Sequence, residues 1–147
     1  MQIKFKKLYH DSVPPRQGTP GSAGFDLSVR KIRGTQGKVI YYSGIAVEIP
    51  RGYVGLMFPR SSVVKTDQRL ANAVGVIDSD YCGEITGVFD VTRVTPFFQA
   101  LYEPKIYHPG ERFAQLVIVP IPEVEYIEVE ELTPTERGAG GYGSTGK

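Results

Sequence analysis

KVIYYSGIAVEI, residues 38–49, is dense in Val, Ile and Tyr and shows no helical period. Branched and aromatic side chains suit a pleated, half-buried surface. Runs of the same kind recur along the chain: YVGLMF at 53–58, EITGVFDV at 84–91, FFQALY at 97–102, RFAQLVIVPI at 112–121 and VEYIEVEEL at 124–132. Most of the chain's 17 glycines and 11 prolines fall between them as punctuation. Short apolar runs separated by turn residues predict an all-β sandwich or barrel. The best helical candidate is a turn or two around residues 61–71, after Pro59. No internal repeat or linker divides the chain, so residues 1–147 read as one domain.

The bulk numbers narrow the function. A chain of 147 residues with 41% hydrophobic side chains is long enough to bury a core without staples. Its one cysteine, Cys82, excludes an internal disulfide and fits a reducing compartment, with cytoplasm as the default. The opening MQIKFKKLYH lacks the apolar region of a signal peptide, and no run is long enough for a membrane helix. A net charge of +1 argues against a nucleic-acid polymer as partner. A small anion needs only a few placed cations and backbone amides.

Several stretches carry candidate chemistry. GVIDSDYCGEI, residues 75–85, reads as a hairpin, yet Asp78 and Asp80 stand where a strand favours apolar residues. If residues 72–81 form that hairpin, Asn72 offers a donor and an acceptor together, the pair a pyrimidine edge presents. Tyr81 could pack on a sugar, and Asp78 could hold a water. A positioned carboxylate acting as general base contributes about 10²–10⁴-fold. The plainer reading is a turn, in which Asp is common. PRSS, residues 59–62, supplies the forked cation of Arg60 and the hydroxyls of Ser61 and Ser62, suited to an anion or to a helix cap. In SAGFDL, residues 22–27, Asp26 lies on the opposite strand face from Phe25 and Leu27. It is either a solvated edge carboxylate or one near a metal-bound phosphate. Mg²⁺ keeps several waters and takes few protein ligands. Gln115, inside an apolar run, is either tied into the core or aimed at a ligand.

The C-terminal RGAGGYGSTGK holds little that could drive its own ordering. It reads as a disordered tail or as a flexible lid whose backbone amides approach phosphates, with Arg137, Ser144 and Thr145 adding donors and Tyr142 a stacking ring. Residues 141–147 also fit the start of a P-loop, but that motif needs a strand before it and a helix after it. His10 and His108 have no partner motif, and neither receives a role.

In order, AGFDL, PRSS, NAVGVIDSDYCGEI, GERFAQL and RGAGGYGSTG resemble the five motifs of the trimeric dUTP pyrophosphatases (dUTPases), from Ala23 to Gly146. The resemblance implies a distorted β-barrel or jelly-roll-like subunit in a homotrimer with sites shared between chains. It implies hydrolysis of dUTP to dUMP and pyrophosphate with Mg²⁺. By position, Asn72, Gly75 and Ile77 would read uracil, and Tyr81 would pack on the deoxyribose. Asp78 would activate the water, and Asp26 would support magnesium through water. Arg60, Ser61, Ser62 and Gln115 would hold the phosphates. Arg137, Gly143, Ser144 and Thr145 would close over them while Tyr142 stacks on the base, all from a flexible arm at residues 133–147. Two positions depart from the family: Phe25 stands where Tyr is frequent, and Tyr142 where Phe is usual. Both keep a ring. Two other readings stay open: a dCTP deaminase, including bifunctional forms, and a nucleotide-binding regulatory module without chemistry.

Overall fold

The computed structural model describes residues 1–92 and 103–141. Among them the chain is all-β. Its strands are β1 (Lys4–Lys7), β2 (Arg16–Gln17), β3 (Phe25–Ser28), β4 (Lys31–Thr35), β5 (Lys38–Tyr42), β6 (Ile45–Glu48), β7 (Tyr53–Pro59), β8 (Gln68–Leu70), β9 (Gly75–Ile77), β10 (Thr86–Val91) and β11 (Arg112–Pro120). A 3₁₀ turn, Ser61–Lys65, is the one helical element among the described residues. The rest of the expected helical stretch becomes β8. Its Gln68 and Leu70 are buried while Arg69 between them is exposed, which is a strand's period.

Three sheets enclose one core. They run β1-β6, β4-β5-β10-β8 and β2-β3-β11-β7-β9, with every pairing among the described residues antiparallel. The run 38–49 splits between two of them. β5 lies between β4 and β10, whereas β6 pairs with β1. The crossing occurs at Ser43 and Gly44, where Gly44 adopts φ +70°. A Cβ there would collide with Ser12 Oγ, so both conformation and space require glycine. Tyr41, Phe89 and Phe113 are fully buried, with Tyr41 5.3 Å from each of the other two rings by centroid. Truncating such a ring costs about 3–5 kcal/mol. The Tyr41 hydroxyl is satisfied inside this core: it donates to Gln68 Oε1 at 2.9 Å and accepts from the Tyr107 N–H at 3.0 Å.

Two expectations change. The run 124–132 forms no strand in the single chain, although its alternation is strand-like. Val124, Tyr126, Ile127, Val129 and Leu132 are exposed, because the pattern supplies apolar side chains but no strand among the described residues pairs with them. The run 97–102 lies outside the described residues. The segment 72–81 does not pair with itself as a hairpin. Instead β9 adds to the edge of β7, with Gly55 opposite Ile77 and Met57 opposite Gly75.

Candidate active site

β11 organises the first group of site residues. It lies between β3 and β7, and Gln115 faces Asp26 in one register and Phe58 in the other. A regular strand would send residues 112 and 115 to opposite faces. The register shifts by one between Arg112 and Ala114, a bulge that brings both side chains to the face of Asp26. Arg112 Nη1 donates to Asp26 Oδ2 at 2.9 Å, and Arg60 Nε donates to Asp26 Oδ1 at 2.8 Å. Asp26 is thus no solvated edge carboxylate. It is 8% exposed and bracketed by two guanidinium groups.

The bracket fixes Arg60 at the end of β7. From there Arg60 Nη1 reaches Ser62 Oγ at 3.5 Å, within the 3₁₀ turn. Gln115 Nε2 donates to the Pro59 carbonyl at 3.4 Å, so its amide is tied to the same strand end. Ser61 opens the 3₁₀ turn and is exposed. The expected Ser N-cap is absent, since Arg60 holds the cap position with no side-chain cap bond. Beside this end runs a cleft of about 420 Å³ whose wall includes Arg60, Ser62, Lys65, Lys105, Tyr107 and Arg112. Four of these six are cations, and the further carboxylate in the lining is Glu111. The cleft is built for an anion. Arg112, Lys65, Lys105 and Tyr107 were missing from the sequence reading. Arg112 stood inside the quoted GERFAQL, but only the bulge reveals its direction.

The second group lies on β9 and the turns that flank it. Gly75 is buried against Met57, and a Cβ there would come 3.0 Å from Met57 Cε and 3.8 Å from Asn72 Nδ2. The Asn72 amide therefore overlies the backbone of Gly75. Between them Ala73 adopts φ 59°, a left-handed conformation rare outside glycine and found where a site imposes backbone strain. Ile77 closes β9, and Asp78 follows it, exposed. The Asp78 carbonyl accepts from the Tyr81 N–H at 3.1 Å, which turns the chain. Tyr81 Oη donates to the Glu84 carbonyl at 3.0 Å. Its ring lies against Gly83, where a Cβ would stand 2.5 Å from Oη. Asp80 and Cys82 are exposed.

The register separates Asp78 from the first group, although Gly75 lies opposite Met57. Asp78 continues β9 past Ile77, opposite Gly55 near the start of β7, whereas Arg60 follows the end of β7. Six residues from Val54 to Arg60 at about 3.3 Å each make about 20 Å. A third group is apart from both: Arg137 is exposed, and its Nε donates to the Gly140 carbonyl at 2.9 Å. Tyr142, Gly143, Ser144 and Thr145 lie outside the described residues.

A cationic cleft, a rigid amide-bearing edge and five ordered motifs have a match among known proteins. The dUTPase family model matches residues 11–146. The chain belongs to the dUTPase family. It is 42% identical over 150 aligned positions, and all of both chains, to a deoxyuridine 5'-triphosphate nucleotidohydrolase of Nautilia profundicola. It is 38% identical to one of Hydrogenobaculum sp., across 99% of each chain. Among solved structures it is similar to the Staphylococcus bacteriophage 80alpha dUTPase with dUpNHpp (30% identity, 99% of each chain, TM-score 0.83). It is also similar to a mutant dUTPase from phage phi11 of S. aureus, whose structure revealed the coordination of a structural Mg(II) ion. That likeness has 26% identity over 89% of this chain and 98% of that one, with a TM-score of 0.74. No helix among the described residues is long and apolar enough to cross a membrane.

Proposed function

We propose that this dUTPase-family chain hydrolyses dUTP to dUMP and pyrophosphate, in sites that combine residues of different subunits of a homotrimer. The separation along β7 carries this reading. Asp78 lies about 20 Å of strand away from Arg60, further than one triphosphate spans. A nucleotide held by Arg60, Ser61, Ser62 and Gln115 of one chain would therefore meet Asp78 of another, and with it the Asn72, Gly75, Ile77 and Tyr81 edge that carries Asp78. The unpaired, apolar segment 124–132 supports assembly, since it exposes what a neighbouring chain could cover.

In the reaction, Asp78 accepts a proton from water as the water oxygen bonds to the α-phosphorus. The bond from that phosphorus to its bridging oxygen breaks, and pyrophosphate leaves with the electron pair. The cationic cleft stabilises charge on the phosphate oxygens, which is most of what phosphoryl transfer asks of a protein. The Asn72 amide and the β9 backbone read the uracil edge, and the Tyr81 ring on Gly83 packs against the deoxyribose. The arm at 133–147 closes with Arg137, Tyr142, Gly143, Ser144 and Thr145, excluding water from the phosphates.

Magnesium fits as an ion carried in with the triphosphate. No cluster of three or more acidic, His or Cys side chains among the described residues could cage a metal. A mostly phosphate- and water-ligated Mg²⁺ needs none. Asp26 spends one lone pair of each oxygen on an arginine and keeps the others for an ion's water. The ion would neutralise charge on the phosphates. A cytoplasmic setting accords with the single unpaired Cys82.

The test is turnover of dUTP, dCTP, dTTP and UTP with Mg²⁺, reading pyrophosphate and ammonia, with Asp78→Asn in parallel. Pyrophosphate from dUTP alone, lost in the variant, is the expected result. Ammonia from dCTP would move the chain to deaminase chemistry. No turnover by the folded assembly would leave a nucleotide-binding regulatory module.

A further inference from the structure

Tyr107 stands between the aromatic core and the anion cleft. Its side chain is 5% exposed. Its ring meets Tyr41 edge-on at 5.7 Å and Phe89 at 6.3 Å. Its backbone N–H is bonded to the Tyr41 hydroxyl. Ring and backbone are thus both fixed by the core, and the phenol oxygen emerges at the cleft wall, 3.3 Å from Ser62 Oγ.

The direction of that hydrogen bond follows from the chemistry of its neighbours. Ser62 Oγ has two lone pairs and one proton. Arg60 Nη1 approaches the same oxygen and can only donate. If Ser62 donated to Tyr107, the phenol proton would have only cleft water to bond, since Ser62 Oγ is its hydrogen-bond partner among the described residues. With Tyr107 donating, Arg60 and Tyr107 occupy both lone pairs of Ser62 Oγ. The serine proton must then point elsewhere, and the open direction is the cleft.

We propose that Tyr107 is a positioning residue for phosphate binding: its phenol donates to Ser62 Oγ and so commits the Ser62 proton to an anionic oxygen of the substrate. The inference rests on the dUTP reading for its substrate, but not for its geometry. Any phosphate oxygen in this cleft would feel the same commitment. Burial supports the donor role by raising the Tyr107 pKa above its ordinary value, so the proton stays on the phenol through neutral pH. The contacts of 3.3 and 3.5 Å are long for hydrogen bonds, so the effect is modest.

Tyr107→Phe keeps the ring in its aromatic setting and removes only the hydroxyl. Its test is a double-mutant cycle with Ser62→Ala, read on the KM and kcat for dUTP and on the Kd of inorganic pyrophosphate by calorimetry. In the wild-type background, Tyr107→Phe weakens pyrophosphate binding and raises KM by about fivefold. In the Ser62→Ala background it changes neither, because the hydroxyl it orients is gone. Equal losses in both backgrounds would make Tyr107 merely structural and overturn the proposal. No loss in the wild-type background would overturn it as well. If the wild-type chain binds pyrophosphate but leaves dUTP intact, the substrate reading fails while the binding cycle still decides on Tyr107. If it binds no pyrophosphate at all, the proposal falls with the cleft.

Discussion

The two ends of β7 are held in different ways. At the Pro59 end, fixed charges do the work: Arg60 and Arg112 bracket Asp26, and Gln115 ties the strand end. At the other end, reached along β9 from Gly75 beside Met57 to Asp78 beyond Gly55, backbone and close approach do it: Gly75 lies beneath the Asn72 amide, and the Tyr81 ring rests on Gly83. The difference matches the ligand part proposed for each end. Phosphates are bound by charge, so their cations must be oriented but need not fit tightly. A base edge and a sugar are told apart by shape, so small residues that admit close contact matter more there. The comparison predicts that substitutions at the two ends fail in different currencies: catalysis and selectivity at one, binding and stability at the other.

The largest expected effect is at Asp78. Asp78→Asn lowers kcat by about 10²–10⁴-fold with little change in KM, measured by pyrophosphate release. A matching loss in nucleotide affinity instead would make Asp78 a binding residue and erase the contrast between the two ends.

Mixing chains tests whether the ends cooperate across subunits. Arg60→Ala and Asp78→Asn proteins are each inactive alone. Unfolded and refolded together in equal amounts, they recover activity in about a quarter of sites if each site of a cyclic trimer draws the two residues from adjacent chains. No recovery from a verified mixed assembly would mean that both residues serve one site within one chain.

Asp26→Asn strikes the phosphate end through stability. Removing the charge leaves two guanidinium groups facing each other at a site where Asp26 is 8% exposed. Because the Arg60 and Arg112 side chains keep 25% and 49% of their surface exposed, the loss is smaller than for a fully buried pair, about 1–2 kcal/mol. The melting temperature falls, and the KM for dUTP rises because Arg60 loses its orientation. An unchanged melting temperature would show that the bracket contributes nothing to the fold.

At the other end, Gly83→Ala displaces the Tyr81 ring, since the new methyl would lie 2.5 Å from its hydroxyl. Discrimination of dUTP against UTP, taken as the ratio of kcat/KM values, falls about tenfold while stability changes little. Unaltered discrimination would remove Tyr81 from sugar recognition.

Much of this division was legible in sequence, but not its spatial logic. YVGLMF and RFAQLVIVPI were readable as strands because apolar content and turn punctuation are local signals. The candidate chemistry of Arg60, Ser62 and Asn72 was readable from residue type. The bulge at Phe113 was not, because nothing in RFAQ marks the extra residue that turns Arg112 toward Asp26. Tyr107 lies 45 residues from Ser62, so no local pattern joins them. VEYIEVEEL shows the converse limit: alternation specifies a face, but a strand also needs a neighbour, and none pairs with it among the described residues. Likewise the acidic turn at Asp78 was visible, whereas its place on the far end of β7 depends on the register of β9.

The smallest effect concerns the tyrosines that support the phosphate end from below. Burial raises the pKa of both Tyr41 and Tyr107 above the ordinary value of 10.0. For Tyr107, Glu111 adds to the shift, while the Arg60 charge opposes it. An acid whose folded pKa is raised binds its proton more tightly in the folded state. Its contribution to stability is therefore complete below pH 10 and is lost as pH rises through the folded value. Thermal stability should be insensitive to these groups at neutral pH and begin to fall above about pH 10. Tyr107→Phe removes one of the two titrations and makes that alkaline slope shallower without abolishing it, because Tyr41 remains. A slope identical in the variant would assign the whole alkaline loss to Tyr41 and other groups. That result would also show that the Tyr107 phenol is solvated well enough to ionise freely, which is incompatible with its acting as a fixed donor at the cleft wall.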